Sequence, residues 1–127
     1  MSDRAPHQVM LVDDNALDRE MLSRRLTRRG YVVRESGNGA EAFEQLRLDP
    51  PHIVLLDTIL PGLDGLALTR QLKADAATRH VPVVVLTAHA LLQHKEQALA
   101  AGCDAFDTKP VELARLLATM EALLGDV

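Results

Sequence analysis

The sequence predicts one α/β domain built on a parallel sheet, and three observations carry the prediction. Short apolar runs alternate with helix-patterned stretches, punctuated by Gly, Pro and Asn, as βαβ units require. Two of the runs, Ile53-Val54-Leu55-Leu56 and Val83-Val84-Val85-Leu86, are apolar without a break, which marks strands covered on both faces. The 127 residues suit one domain with a sizeable core and leave no room for a second.

The elements follow in order. The first strand covers about 8–13 and ends at Asp13-Asp14. Asn15-Ala16-Leu17-Asp18 has the pattern of a capping box, and the helix behind it is expected to turn Leu17, Met21, Leu22 and Leu26 inward and to close at Gly30. Tyr31 to Glu35 reads as a half-buried second strand, and Gly37-Asn38-Gly39 as a turn. A second helix buries Ala42, Phe43 and Leu46 and stops at Asp49-Pro50-Pro51. The third strand runs to Asp57; Pro61-Gly62 is a turn, and Asp64-Gly65 opens a helix with Leu68 and Leu72 inward. Pro82 precedes the fourth strand, which ends at Thr87. A helix from about Leu91 to Ala101 ends at Gly102. The fifth run, Ala105-Phe106-Asp107-Thr108, ends at Lys109. The last helix carries Leu113, Leu116, Leu117, Met120 and Leu124 at helical spacing. The sum is about five strands and five helices, with helices on both faces of the sheet.

Composition excludes several classes. Eighteen acidic and fourteen basic side chains give a net charge of −4, with no general pull toward nucleic acid. There is no Trp, one Tyr and two Phe, so no aromatic platform for stacked bases. No apolar stretch is long enough to span a bilayer, and the N-terminus, with about residues 1–7 expected to be flexible, has no signal-peptide core. A single cysteine, Cys103, fits a reducing compartment and reads as a small buried hydrophobe. The expected location is the cytoplasm, without nucleic-acid or membrane partners.

Four strand ends carry chemistry: Asp13-Asp14, Asp57, Thr87 and Lys109. Parallel strands bring their carboxyl ends to one rim, where α/β sheets place their sites. Three carboxylates against one ammonium leave the rim negative, so it should raise a pKa or recruit a cation. Hard oxygen donors without Cys or His suit Mg²⁺ rather than zinc. A carboxylate can accept a phosphoryl group, which also needs a metal and a fixed positive charge. Asp57 ends the most apolar strand and is the candidate nucleophile; Lys109 and Thr87 would hold phosphoryl oxygens, and Asp13 and Asp14 the metal. Alone, each Asp reads as a turn or cap residue, Thr87 is a weak signal, and Lys109 before Pro110 reads as an ordinary solvated lysine.

The set, quoted as Leu-Val-Asp13-Asp14-Asn15, Leu-Leu-Asp57-Thr-Ile-Leu-Pro61-Gly62-Leu-Asp64-Gly65, Val-Leu-Thr87-Ala88 and Phe106-Asp-Thr-Lys109-Pro110, resembles the receiver domain of two-component response regulators across nearly the whole chain. In overall pattern it is similar to the stand-alone, CheY-like receivers of chemotaxis and cell-cycle pathways. The resemblance implies a flavodoxin-like fold of strand order 2-1-3-4-5. It implies phosphoryl transfer to Asp57 from a histidine kinase or histidine phosphotransfer protein. It implies Mg²⁺ held by Asp14, Asp57 and the carbonyl of Thr58, with Asp13 acting partly through water. It also implies a switch in which Thr87 moves toward the phosphoryl group and Phe106 turns inward, and a Lys109-Pro110 bond that is often cis.

Ile59 and His89 depart from the commonest pattern of that family. They fall where relatives flank the path of attacking water, and an apolar Ile59 implies a long-lived phosphoryl state; simple packing of Ile59 on its loop is the bland alternative. Arg24, Arg25, Arg28 and Arg29 cluster on the first helix. They read as a solvated face or as the docking surface for the phosphodonor. The last helix carries few charges and spare apolar residues, fitting either a partner or dimer surface or an alanine-rich amphipathic helix.

The expected function is a single-domain response regulator, residues 1–127, that signals by phosphorylation-dependent partner binding as a monomer or phosphorylation-dependent dimer. It is expected to assist its own phosphorylation and dephosphorylation without being an enzyme in the ordinary sense, and to lack an output domain. Two alternatives stand beside it. One is a Mg-dependent phosphatase of the haloacid dehalogenase type, which needs an acid/base Asp where this chain has Ile59. The other is a receiver-like binding module that is never phosphorylated.

Overall fold

In the computed structural model, residues 6–57, 64–88 and 92–125 are described. Thr58, Ile59 and His89 lie outside them, as do the Pro61-Gly62 turn and residues 1–5 of the expected flexible N-terminus. Strands and helices alternate strictly: β1 (Gln8–Val12), α1 (Ala16–Arg28), β2 (Val32–Ser36), α2 (Gly39–Leu48), β3 (Ile53–Leu56), α3 (Gly65–Ala74), β4 (Val83–Thr87), α4 (Leu92–Ala101), β5 (Ala105–Thr108) and α5 (Leu113–Leu124). The strands form one parallel sheet in the order β2-β1-β3-β4-β5. This is the doubly wound, flavodoxin-like arrangement that the sequence led us to expect.

The period-2 alternation of the strands divides the core into two layers. Met10, Val12, Val54, Leu56, Val83 and Val85 face α2, α3 and α4, where Ala42, Leu46, Leu68, Leu72 and Ala98 meet them. Val9, Leu11, Ile53, Leu55, Val84 and Leu86 face α1 and α5, where Leu22, Leu26, Leu116 and Met120 close over them. All residues of β3 and β4 are buried, which is why those two runs carry no polar residue before their ends.

Side-chain caps open α1, α2, α3 and α5. Asn15 accepts from the Asp18 amide, Asn38 from Ala40 and Glu41, Asp64 from Ala67, and Glu112 from Ala114 and Arg115. After α1 and α4 the chain takes a left-handed turn at Gly30 (φ 95°) and Gly102 (φ 105°), a conformation that favours glycine.

Two expectations for α1 need correction. Leu17 and Met21 do not point inward; they are 66% and 48% exposed. The buried stripe is Leu22 and Leu26, and at about 100° per residue Leu17 lies roughly 140° around the helix from Leu22. The capping box is also only half made. Asn15 takes the Asp18 amide, but its own amide donates to Asp13 Oδ1 at 2.9 Å. Phe43 is half-buried rather than buried. Among the described residues no helix is long and apolar enough to cross a membrane.

Candidate functional site

The rim at the carboxyl ends of the strands is held by backbone bonds made just beyond the strands. The Asp13 amide donates to the Ser36 carbonyl at 3.0 Å, the Asp57 amide to Val12 at 2.9 Å and the Lys109 amide to Thr87 at 2.8 Å. Asp13, Asp57, Thr87 and Lys109 are therefore set by the register of the sheet rather than by free loops. The Lys109-Pro110 peptide bond is cis.

Four predicted residues meet here. Lys109 Nζ donates to Asp13 Oδ2 at 2.6 Å and to Asp57 Oδ2 at 2.9 Å. The three side chains are largely buried, at 17%, 8% and 13% exposure for Lys109, Asp13 and Asp57. Burial alone would pull the Lys109 ammonium below its ordinary value, but the hydrogen bonds to Asp13 and Asp57 and their charges outweigh it and hold the pKa above 10.5. Asp14 is exposed at the lip, and Asp13, Asp14 and Asp57 each bring a carboxylate oxygen within 4.8 Å of the others. Thr87 is fully buried at the end of β4, beside Thr108 in register.

The donor set fits a hard divalent cation. It consists of carboxylate oxygens without Cys or His, from residues of graded exposure that leave one side open to solvent. Zinc is disfavoured by the same chemistry.

The remaining predicted residues are dispersed. Phe106 is half-buried in β5 and packs against the layer under α2, α3 and α4. The arginine cluster divides. Arg24 is exposed and pairs with Glu20 at 2.6 Å on the same helix face, whereas Arg25 lines a cavity of about 490 Å³ beside Lys109. Arg28 and Arg29 are exposed at the end of α1.

That cavity has a polar wall of Asp13, Asp18 and Lys109 and an apolar floor that includes Leu22, Leu86 and Val111. Two residues that the sequence reading assigned no role at the rim stand here. Asp18 Oδ2 lies 3.7 Å from Lys109 Nζ. Arg19 donates to the Asp13 carbonyl at 2.5 Å and to Glu35 at 3.2 Å, bracing the first acidic residue from behind. Gly37 makes room for it, since a Cβ there would sit 2.8 Å from Arg19 Nη1. The sequence signals were the capping-box spacing of Asp18 from Asn15 and, for Arg19, its place on the first turn of the helix after Asp13-Asp14.

Comparison with known proteins agrees with this geometry. The sequence pattern of the family described as the response regulator receiver domain matches residues 9–121. The polar-differentiation response regulator DivK of Brucella anthropi is 36% identical over 121 residues, covering 95% of this chain and 98% of that protein. The receiver domain of a sensor histidine kinase from Pseudomonas aeruginosa, solved with a magnesium ion coordinated in its active-site cleft, superimposes with a TM-score of 0.89 at 31% identity, covering 95% of this chain and 99% of that one. The signal receiver domain of a histidine kinase from Syntrophus aciditrophicus gives 0.87 at 32% identity, with 95% and 92% covered.

Proposed function

The chain belongs to the response regulator receiver family, and on that premise we propose that it is a single-domain response regulator, residues 1–127, that accepts a phosphoryl group on Asp57. The observation that carries the reading is the meeting of Asp13, Asp57 and Lys109 at one rim of the sheet. The donor is a phosphohistidine of a histidine kinase or phosphotransfer protein. An Asp57 carboxylate oxygen bonds to phosphorus as the bond from phosphorus to the imidazole nitrogen breaks, and the electron pair stays on that nitrogen.

Each side chain has a part in that step. Lys109 gives up Asp57 Oδ2 and pairs with a phosphoryl oxygen as a point charge. Thr87 donates its hydroxyl to another oxygen, and Phe106 follows by packing inward, since it has no hydroxyl of its own. Asp13, Asp14 and Asp57, with the Thr58 carbonyl, would hold Mg²⁺, which when bound offsets the negative charge of the phosphoryl oxygens. Arg25 beside the cavity offers a basic border to a docking donor, with Arg28 and Arg29 further along α1 and Arg24 engaged by Glu20. Ile59 and His89 tune hydrolysis. Output is a changed affinity for another protein or a phosphorylation-dependent dimer, and the cytoplasm is the place of action. Such a domain assists its own phosphorylation and is a signalling switch rather than an enzyme with turnover. Family membership sets aside the dehalogenase-type phosphatase.

Incubation with acetyl phosphate and Mg²⁺ followed by intact mass measurement tests this. The expected result is the addition of one phosphoryl group, lost in Asp57→Asn. Absence of any adduct on the wild type would leave the binding module that is never phosphorylated.

A further inference from the structure

We propose that Asp18 is a positioning residue for Lys109, and that through it the cleft discriminates against small phosphodonors of high negative charge. The proposal rests on Asp57 being the phosphoacceptor.

The geometry has two independent parts. Lys109 Nζ has Asp18 Oδ2 at 3.7 Å, beyond hydrogen-bond length but well within strong charge contact, in addition to Asp13 and Asp57. The Asp18 carboxylate is also not used in the helix cap. A capping box would send it back to the Asn15 amide, yet that amide bonds to Asp13 Oδ1. Asp18 is held at its backbone, by Asn15, and its charge is left facing the ammonium. The same helix stripe continues through Leu22 to Arg25 along the cavity.

Consequences follow for the reaction. When a phosphoryl group forms on Asp57, Lys109 must leave Asp57 Oδ2 for a phosphoryl oxygen. Asp18 stays in place, 51% exposed at the cleft mouth, and competes for the ammonium from the α1 side. It also repels an incoming anion, and more so the greater the donor's charge. With acetyl phosphate, Asp57 oxygen bonds to phosphorus as the bond to acetate breaks and acetate leaves with the electron pair. That donor is a dianion at neutral pH. Phosphoramidate carries one negative charge fewer and should feel Asp18 less.

The test compares wild type, Asp18→Asn and Asp18→Glu by quenched intact-mass time courses with Mg²⁺ and each donor. Asp18→Asn should label about threefold faster with acetyl phosphate at low salt, the effect of one charge in near-aqueous surroundings. The gain should be smaller with phosphoramidate and should shrink near about 0.5 M KCl, and Asp18→Glu should restore the wild-type rate. An unchanged rate, or a gain equal for both donors at every salt concentration, overturns the proposal. A second readout separates it from the phosphoacceptor reading. The chain has three lysines, Lys73, Lys95 and Lys109, so ¹³C-lysine labelling isolates the Lys109 Cε signal in the metal-free protein. If the wild type takes no label, the phosphoacceptor reading fails by itself. Asp18 is then judged by that signal, which shifts in Asp18→Asn if Asp18 positions the ammonium; an unmoved signal overturns the proposal.

Discussion

Lys109 donates to Asp57 at 2.9 Å across the end of β4, joining side chains 52 positions apart. The ammonium is therefore a counter-charge that lets Asp13 and Asp57 stand close together.

Removing the ammonium leaves two largely buried carboxylates facing each other. Lys109→Ala should lose about 1–3 kcal/mol of stability at neutral pH, less than a fully buried pair because some solvent reaches the site. Urea denaturation measures it, and added Mg²⁺ should raise the variant's midpoint more than the wild type's. Equal midpoints with and without Mg²⁺ for both proteins would show that the cation does not take over from Lys109.

The same contact gives a pH dependence. The folded pKa of Lys109 lies above 10.5, so the folded state holds this proton more tightly than the unfolded chain. Its stabilising contribution is complete below about pH 10 and fades as pH rises through the folded value. Denaturation midpoints should fall faster above pH 10.5 in wild type than in Lys109→Ala, and parallel curves would contradict the assignment.

The arginine cluster should divide by function as it does in space. Arg25 borders the cavity beside Lys109, while Arg24 is paired with Glu20 at the surface. Arg25→Glu should slow transfer from autophosphorylated histidine kinases roughly tenfold or more, an electrostatic docking effect, with Arg24→Glu within about twofold of wild type. Similar slowing in both variants would mean that diffuse charge matters rather than the cavity border.

Ile59 carries a prediction made from sequence alone. If its apolar side chain bars water from the phosphorylated Asp57, Ile59→Asn should shorten the phosphoryl lifetime several-fold, read as decay of the mass adduct after acetyl phosphate is removed. An unchanged half-life would reduce Ile59 to a packing residue.

Cys103 is buried, and its thiol is pushed up to about 11, first by burial and then by the Asp104 charge, with Lys73 opposing. Native alkylation by iodoacetamide should stay slow at pH 8 and rise toward pH 11, whereas the urea-unfolded chain should react with a midpoint near 9.0. A fast reaction of the folded protein at pH 8 would contradict this burial.

The sheet and its rim were legible because parallel strands must be apolar inside and can carry polar groups only where they end. Ile53 to Leu56 followed by Asp57, and Val83 to Leu86 followed by Thr87, state that rule directly. Less legible were contacts that depend on helix rotation and side-chain reach. Leu17 and Met21 looked like core by residue type, yet the rotation of α1 turns Leu22 and Leu26 to the sheet and leaves the other two exposed. Asp18 had the spacing of a capping residue, but Asp13 took its backbone partner. Lys73, unmarked in the sequence, ties α3 to the Val81 carbonyl and to Asp104, a contact no periodicity announces.

The bond from the Lys109 amide to the Thr87 carbonyl means that the cleft's ammonium and hydroxyl are carried on one rigid coupling. In the switch proposed for Thr87, a displacement of the β4 terminus would carry the lysine backbone with it, so that both donors would meet an incoming anion together.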